Sequence, residues 1–232
     1  IEEIIKGTGI RFLKNELKSL DLMNGDVHFL DGTKLKFNYL VLALGSEINY
    51  FDIPGLKENS LALKTFIDAI KIRDKIFDLT ETGQKEIRVV IGGGGSTGVE
   101  LAGEIREWAC DLQEKHPSCR IKVTIVEGSP SVLPGFSPRI VKLAEKRLKK
   151  IGVEVLANKM IQTVDSSSYD ILIWTGGVKA SGLIGALPLK IEKRGRIEVV
   201  GEMECLPQSP DLKLYGKIYA IGDAVCFYDP KT

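Results

Sequence analysis

The chain has 232 residues, a formal net charge of +1, 44% apolar residues and 27% charged ones. That length holds one large domain or two small ones with ample core, and the composition is that of a soluble globular protein. The near-neutral charge gives no reason to expect nucleic acid or an anionic membrane surface as a partner, and no apolar run approaches the ~18 residues of a membrane span.

From the N-terminus, Ile1-Glu2-Glu3-Ile4-Ile5-Lys6 is neither a signal peptide nor a natural start. The runs Asp26-Val27-His28-Phe29-Leu30 and Lys34-Leu35-Lys36-Phe37 read as strands joined by the turn Asp31-Gly32-Thr33. Tyr39-Leu40-Val41-Leu42-Ala43-Leu44 reads as a buried strand closing on Gly45-Ser46. After a break at Ile53-Pro54-Gly55, the residues Leu63, Phe66, Ile67, Ile70, Ile76 and Phe77 trace a helix. Ile87-Arg88-Val89-Val90-Ile91 is short, β-branched and apolar, as a strand inside a parallel sheet should be. A helix beginning near Thr97 follows, marked by Val99, Leu101, Ala102, Ile105, Trp108 and Leu112. The polar stretch 113–118 reads as a loop, and Ile121-Lys122-Val123-Thr124-Ile125-Val126 as a second buried strand ending in Glu127. Ile140, Ala144, Leu148 and Ile151 mark another helix, whose Lys146, Arg147, Lys149 and Lys150 complement its dipole. Further strands are expected at 153–156, at 171–174 before Thr175-Gly176-Gly177, and at 217–221 before Gly222-Asp223. Alternating strands and helices predict a parallel α/β sheet, without a solenoid repeat or a low-complexity tract.

The run Gly92-Gly93-Gly94-Gly95-Ser96-Thr97-Gly98 carries the chemistry. Gly93, Gly95 and Gly98 fit the G-x-G-x-x-G spacing that lets a backbone lie against a pyrophosphate. The following helix aims its unpaired N–H groups and positive dipole end at the phosphates. Glu127, at the end of the next strand, is placed to accept hydrogen bonds from the adenosine ribose hydroxyls. Its distance from Gly98 exceeds the roughly 20 residues of the simple fingerprint, and the polar stretch 113–118 takes up the excess. A carboxylate there repels a 2′-phosphate, and the next arginine is Arg139, so NADH is favoured over NADPH. The plainer alternative is a structural turn and a solvated strand end. Strand, glycines, helix, strand and acid in this order favour binding, and say nothing about chemistry.

Cys110, Cys119, Cys205 and Cys226 form no C-x-x-C pair and no metal spacing, so they read as reduced thiols of a cytoplasmic protein. Packing is the expected role of Cys110 and Cys226. His28 and His116 are isolated, which argues against a catalytic imidazole.

These pieces in this order resemble the FAD-dependent pyridine nucleotide oxidoreductases, flavoproteins with two dinucleotide-binding domains, and most nearly their type II NADH dehydrogenase branch. The resembling residues are 39–46, 93–104, Val126-Glu127, 132–136, the stretch Trp174-Thr175-Gly176-Gly177-Val178-Lys179-Ala180-Ser181, 195–197 and 219–224. The resemblance implies a Rossmann-like NADH-binding domain with a parallel sheet, flanked by part of a second, FAD-binding domain with short antiparallel strands. It implies domains at 1–50 (partial FAD domain), 51–212 (NADH domain) and 213–232 (a returning FAD-domain strand). NADH would lie on Gly93, Gly94, Gly95, Ser96, Thr97 and Gly98, with Glu127, Gly176 and Gly177. FAD would meet Gly45, Gly222 and Asp223, the last through its ribityl chain. Glu100 would face the nicotinamide–flavin junction, though an acid near a helix N-terminus is stabilising in any protein. Quinone is the implied acceptor, with a homodimer and peripheral attachment at the cytoplasmic membrane face in a longer parent.

Only one G-x-G-x-x-G exists here, at the place expected of the family's second. The chain is therefore expected to be an internal fragment that binds NADH, holds FAD weakly or not at all, and does not turn over. A disulfide reductase or sulfide:quinone reductase parent stays open within the family. Outside that family, a non-catalytic NADH-sensing module would use the glycines equally well but would have no use for Gly45-Ser46 and Gly222-Asp223.

Overall fold

The structure is a computed structural model and describes residues 1–115, 117, 119–164 and 167–227. His116 and the chain end at 228–232 lie outside the described residues. In chain order the strands begin with β1 (Leu17–Asp21), β2 (Asp26–Phe29), β3 (Lys34–Lys36), β4 (Tyr39–Leu42) and β5 (Ser46–Ile48). They continue with β6 (Leu61–Ala62), β7 (Glu86–Gly92), β8 (Arg120–Val126), β9 (Glu154–Leu156) and β10 (Ile171–Trp174). The last are β11 (Val178–Ala180), β12 (Ile197–Val200), β13 (Glu204–Cys205), β14 (Lys217–Ala220) and β15 (Val225–Phe227). The helices are α1 (Glu2–Ile5), α2 (Leu56–Asn59), α3 (Phe66–Glu81), α4 (Ser96–Lys115) and α5 (Pro138–Lys150). Packing divides the chain into a central unit, Ile48–Gly177, and a terminal unit made of Ile1–Glu47 with the segment from Val178 onward. The segment 178–212, read from sequence with the nucleotide domain, packs in the terminal unit because β12 and β13 pair with β14 and β15 there.

In the central unit five strands lie parallel in the order β6-β10-β7-β8-β9. Alternate residues of a strand face opposite sides. Ile87, Val89, Ile91, Ile121, Val123 and Ile125 therefore turn to one face, where α3, α4 and α5 bury them with Ile72, Ile76, Ala102, Ile105, Ala109 and Leu148. Val90, Leu172 and Trp174 turn to the other face, against Leu56, Ile53, Ile161 and Val164. Burial on both faces is why β7 and β10 carry the continuous apolar runs Val89-Val90-Ile91 and Ile171-Leu172-Ile173, whereas β8 alternates with exposed Lys122. The start of α3 is fixed by a capping box in which Thr65 and Asp68 serve each other's backbone N–H. From β7 the chain steps to β8 and β9, then crosses to β10 on the other side of β7. That reversal leaves a crevice at the carboxyl ends of β7 and β10, the usual ligand position in such sheets. The helix expected near Thr97 starts at Ser96 and runs to Lys115, so residues 113–115, expected in a loop, are helical.

The terminal unit is built differently. β1, β2 and β3 form an antiparallel sheet, and β15-β12-β13-β14-β4 form a mixed one. The apolar run 39–44 predicts a buried β4. Leu40 and Leu42 do pack in the terminal core, but Tyr39 is 70% and Val41 55% exposed. Leu40 and Leu42 share their face with Ile218 and Ala220 in the core, while Tyr39 and Val41 share theirs with Lys217 and Tyr219, outside it. α1, β1, β11, β13 and β15 carried no clear sequence signal. Cys110 corrects a second expectation: it is exposed on α4, whereas Cys119 and Cys205 are buried. Among the described residues no helix is long and apolar enough to cross a membrane.

Candidate functional site

Three glycines of the β7–α4 turn do three different jobs. Gly93 has φ +107°, and a Cβ on it would meet the Gly176 backbone at 2.7–2.8 Å, so only glycine makes this turn. A Cβ on Gly98 would drive into the Gly93 carbonyl oxygen, so the third glycine lets helix and strand close together. A Cβ on Gly95 would meet nothing within 4 Å. That vacancy beside the first turn of α4 is what a pyrophosphate needs for close approach, and it is the division of labour the G-x-G-x-x-G spacing describes. Ser96 and Thr97 are exposed in that first turn, whose N–H groups have no partner within the helix.

The turn is clamped from both neighbouring strands. Gly93 N–H donates to Val126 O (2.9 Å) on the β8 side, and Thr175 N–H to Gly92 O (2.8 Å) on the β10 side. The Thr175 hydroxyl lies 3.1 and 3.0 Å from the Gly92 and Gly93 carbonyl oxygens. Glu127 accepts from Gly94 N–H at 2.6 Å through Oε2 and from Ser129 N–H at 2.7 Å through Oε1. Burial pushes its carboxyl upward, but the backbone donors of Ser129 and Gly94 more than offset this and hold its pKa below the ordinary value. The carboxylate therefore stays ionised, with lone pairs left for further donors.

A cleft of about 580 Å³ opens over this edge, and Gly93, Glu127, Gly176 and Trp174 line it together with Phe51 and Lys159. Sequence reading missed Phe51 and Lys159, since a lone aromatic and a lone lysine carry no pattern. Gly177 closes the edge by accepting from Asn49 N–H (3.0 Å). Glu100 is exposed and lies along a separate groove between α4 and α5, with Glu104, Arg147 and Lys150.

In the terminal unit, β4 and β14 run parallel from Tyr39 and Lys217 to Leu42 and Ala220. Gly45 (φ +63°) and Gly222 (φ +77°) follow their carboxyl ends. The Ser46 hydroxyl donates to the exposed Asp223 carboxylate at 2.9 Å. Sequence reading placed Gly45, Gly222 and Asp223 as a set, and parallel pairing brings them together.

Residues 3–231 match the family described as pyridine nucleotide-disulphide oxidoreductase. The chain belongs to that family. A mitochondrial external alternative NADH-ubiquinone oxidoreductase from Yarrowia lipolytica is 36% identical over 188 residues, covering 68% of this chain and 32% of the relative. A type II NADH:quinone oxidoreductase from Staphylococcus saprophyticus is 27% identical over 249 residues, covering 98% of this chain and 60% of the relative. The chain thus spans only part of either relative's length. Among solved structures, NDH2 from Plasmodium falciparum in complex with NADH superposes with a TM-score of 0.79 at 24% identity, covering 93% of this chain and 50% of that one. A ferredoxin reductase from Rhodopseudomonas palustris gives 0.78 at 20% identity, covering 100% and 55%. Both likenesses show the fold: this member of the pyridine nucleotide-disulphide oxidoreductase family is an α/β protein of the Rossmann type, with antiparallel strands outside its parallel sheet.

Proposed function

We propose that this chain is the pyridine-nucleotide-binding part of an NADH dehydrogenase that passes electrons from NADH through FAD to a quinone. The glycine turn carries the reading, because Gly93 turns, Gly98 admits the helix and Gly95 leaves the space a pyrophosphate would fill. Glu127 stands beside it, ionised and with acceptor capacity for ribose hydroxyls. The names of the relatives, NADH-ubiquinone and type II NADH:quinone oxidoreductase, support NADH as donor and quinone as acceptor.

The residues of the terminal unit fit a flavin: an exposed carboxylate, Asp223, stands at the carboxyl ends of two parallel strands and is oriented by Ser46. When bound, FAD supplies the hydride acceptance and the onward delivery of electrons. The protein's part is placement. Glu127 orients the adenosine ribose, the α4 terminus neutralises the phosphates, and the edge at Gly176–Gly177 receives the nicotinamide half. Glu100 lines the groove between α4 and α5 and not the cleft at Gly93 and Gly176, so this reading gives it no contact with the nicotinamide. The Cys205 thiol, pushed up to about 12 by burial, is the opposite of a reactive thiolate.

The chain as given binds NADH without turning over and retains little FAD, having one glycine fingerprint. Flavin absorbance near stoichiometric occupancy in a purified sample would overturn that. A homodimer, and attachment of the longer protein to the cytoplasmic face of a membrane, complete the proposal; Tyr39 and Val41 offer exposed apolar surface for self-association.

The test is calorimetric titration of NADH and NADPH into wild type, Gly95→Ala and Glu127→Ala. Wild type should prefer NADH, and Glu127→Ala should narrow that preference. Gly95→Ala should keep its melting temperature, since its Cβ enters open space, while nucleotide affinity falls at least about tenfold. Unchanged affinity in Gly95→Ala would reduce the turn to a structural feature.

A further inference from the structure

The turn that opens the central unit holds two consecutive non-glycine residues in left-handed backbone, Phe51 at φ +51° and Asp52 at φ +54°. A bulky side chain there is an outlier, and it persists only where its surroundings over-determine it. They do. Asn49 Oδ1 accepts from Phe51 N–H at 2.9 Å, and Ile53 N–H donates to Tyr50 O at 3.0 Å. Trp174 Nε1–H donates to Asn49 O at 2.8 Å, tying the turn to the end of β10. The Phe51 ring meets the Trp174 ring edge-to-face, with centroids 6.4 Å apart at 79°.

This constraint does not serve burial. Phe51 remains 57% exposed and lines the cleft above Gly93 and Gly176. Its place along the sheet edge says what it faces. In the order β10-β7-β8, Glu127 follows β8, the glycine turn follows β7, and Gly176-Gly177 follow β10. A dinucleotide with its adenosine ribose at Glu127 and its pyrophosphate on the glycine turn must extend its other half over the end of β10. Phe51 stands at that end, for a Cβ on Gly177 would come within 3.4 Å of its Cζ.

We infer that Phe51 is a binding residue for the nicotinamide half of the dinucleotide, an apolar wall held rigid by a strained turn. The inference rests on the nucleotide reading above. A fixed aromatic wall shields one side of a planar ring from water, and its ordering is complete before the ligand arrives.

The experiment titrates NADH and ADP-ribose, which lacks the nicotinamide, into wild type, Phe51→Ala, Phe51→Gly and Phe51→Tyr, with melting temperatures alongside. Wild type binds both. Phe51→Ala and Phe51→Gly lose about tenfold or more of NADH affinity and keep ADP-ribose within about twofold, while Phe51→Tyr retains both. Phe51→Gly melts no lower than wild type, because glycine accepts φ +51° without strain, so its loss of NADH is not unfolding. Equal loss of both ligands in Phe51→Ala and Phe51→Gly, or loss of neither, overturns the role of Phe51. A wild type that binds neither ligand overturns the nucleotide reading itself and takes the inference with it.

Discussion

The central and terminal units solve the same problem with different means. In the central unit the parallel sheet is covered on both faces at β7 and β10, where Val89-Val90-Ile91 and Ile171-Leu172-Ile173 run without a polar residue. β8 alternates Ile121, Val123 and Ile125 with exposed Lys122, and Ile87, Val89, Ile91, Val123 and Ile173 are fully buried. In the terminal unit short strands of mixed direction share one core, and the edge strand β4 exposes every second residue. The difference teaches where function can be built from backbone. A sheet buried on both faces holds its strand ends rigidly, so a turn such as 92–98 can present N–H groups and empty space to a ligand. The terminal unit relies on side chains instead, with Ser46 orienting Asp223.

The largest expected effect tests that contrast in the cores. Ile91→Ala removes a fully buried side chain from the middle of the parallel sheet and should cost about 4 kcal/mol. Val41→Ala, on the exposed face of β4, should change stability by less than about 0.5 kcal/mol. Chemical denaturation of both variants decides it, and similar costs would erase the distinction between the two sheets. Next come two glycines of one helix. Gly98→Ala forces a methyl into the Gly93 carbonyl and should cost about 2–3 kcal/mol along with nucleotide binding. Gly103→Ala, a turn further along α4, meets nothing within 4 Å and should stabilise the helix by about 0.5–1 kcal/mol. A Gly98→Ala variant that folds and binds as wild type would show that the close approach is not required.

The central unit was the more legible of the two in sequence, for the same physical reason. Strands buried on both faces, β7 and β10, write themselves as β-branched runs, and the helices show their periodicity through Ile76, Ala102, Ile105 and Leu148. In α3, sequence reading also took in Phe66, Ile67 and Phe77, which are exposed, and passed over the buried Ile72. The glycine turn was readable because its spacing is set by local backbone geometry, and Glu127 because it ends the next apolar strand. The terminal unit was harder. β11, β13 and β15 are two or three residues long, too short for any period to show, and β12 finds its partners far along the chain. β4 reads as buried because its residues are all apolar, but the face it shares with Lys217 and Tyr219 of β14 lies outside the core and leaves Tyr39 and Val41 uncovered. Phe51 was invisible as a site residue, since its importance lies in a backbone angle and in a contact with Trp174, 123 positions away by numbering.

Acid and alkali should act on the two units through different groups. The Glu127 carboxyl is held below its ordinary value of 4.5, so its contribution to stability is present above that value and fades as pH falls through the folded one. Asp170 is lowered too, and its largest influences are burial, which raises it, and the Arg88 guanidinium, which outweighs that with the help of the Arg88 N–H. Glu127→Gln should therefore make the acid limb of the central unit shallower without removing it. Cys205 behaves in the opposite sense. Burial raises its thiol from 9.0 to about 12, so the stability it lends the terminal unit is complete below 9.0 and is lost as pH climbs toward 12. Both tryptophans, Trp108 and Trp174, lie in the central unit, so their fluorescence follows that unit alone. Alkylation of Cys205 reports opening of the terminal unit. As pH rises above 9.0, Cys205 alkylation should set in before tryptophan fluorescence changes. Coincident changes would mean that the two units unfold as one cooperative body.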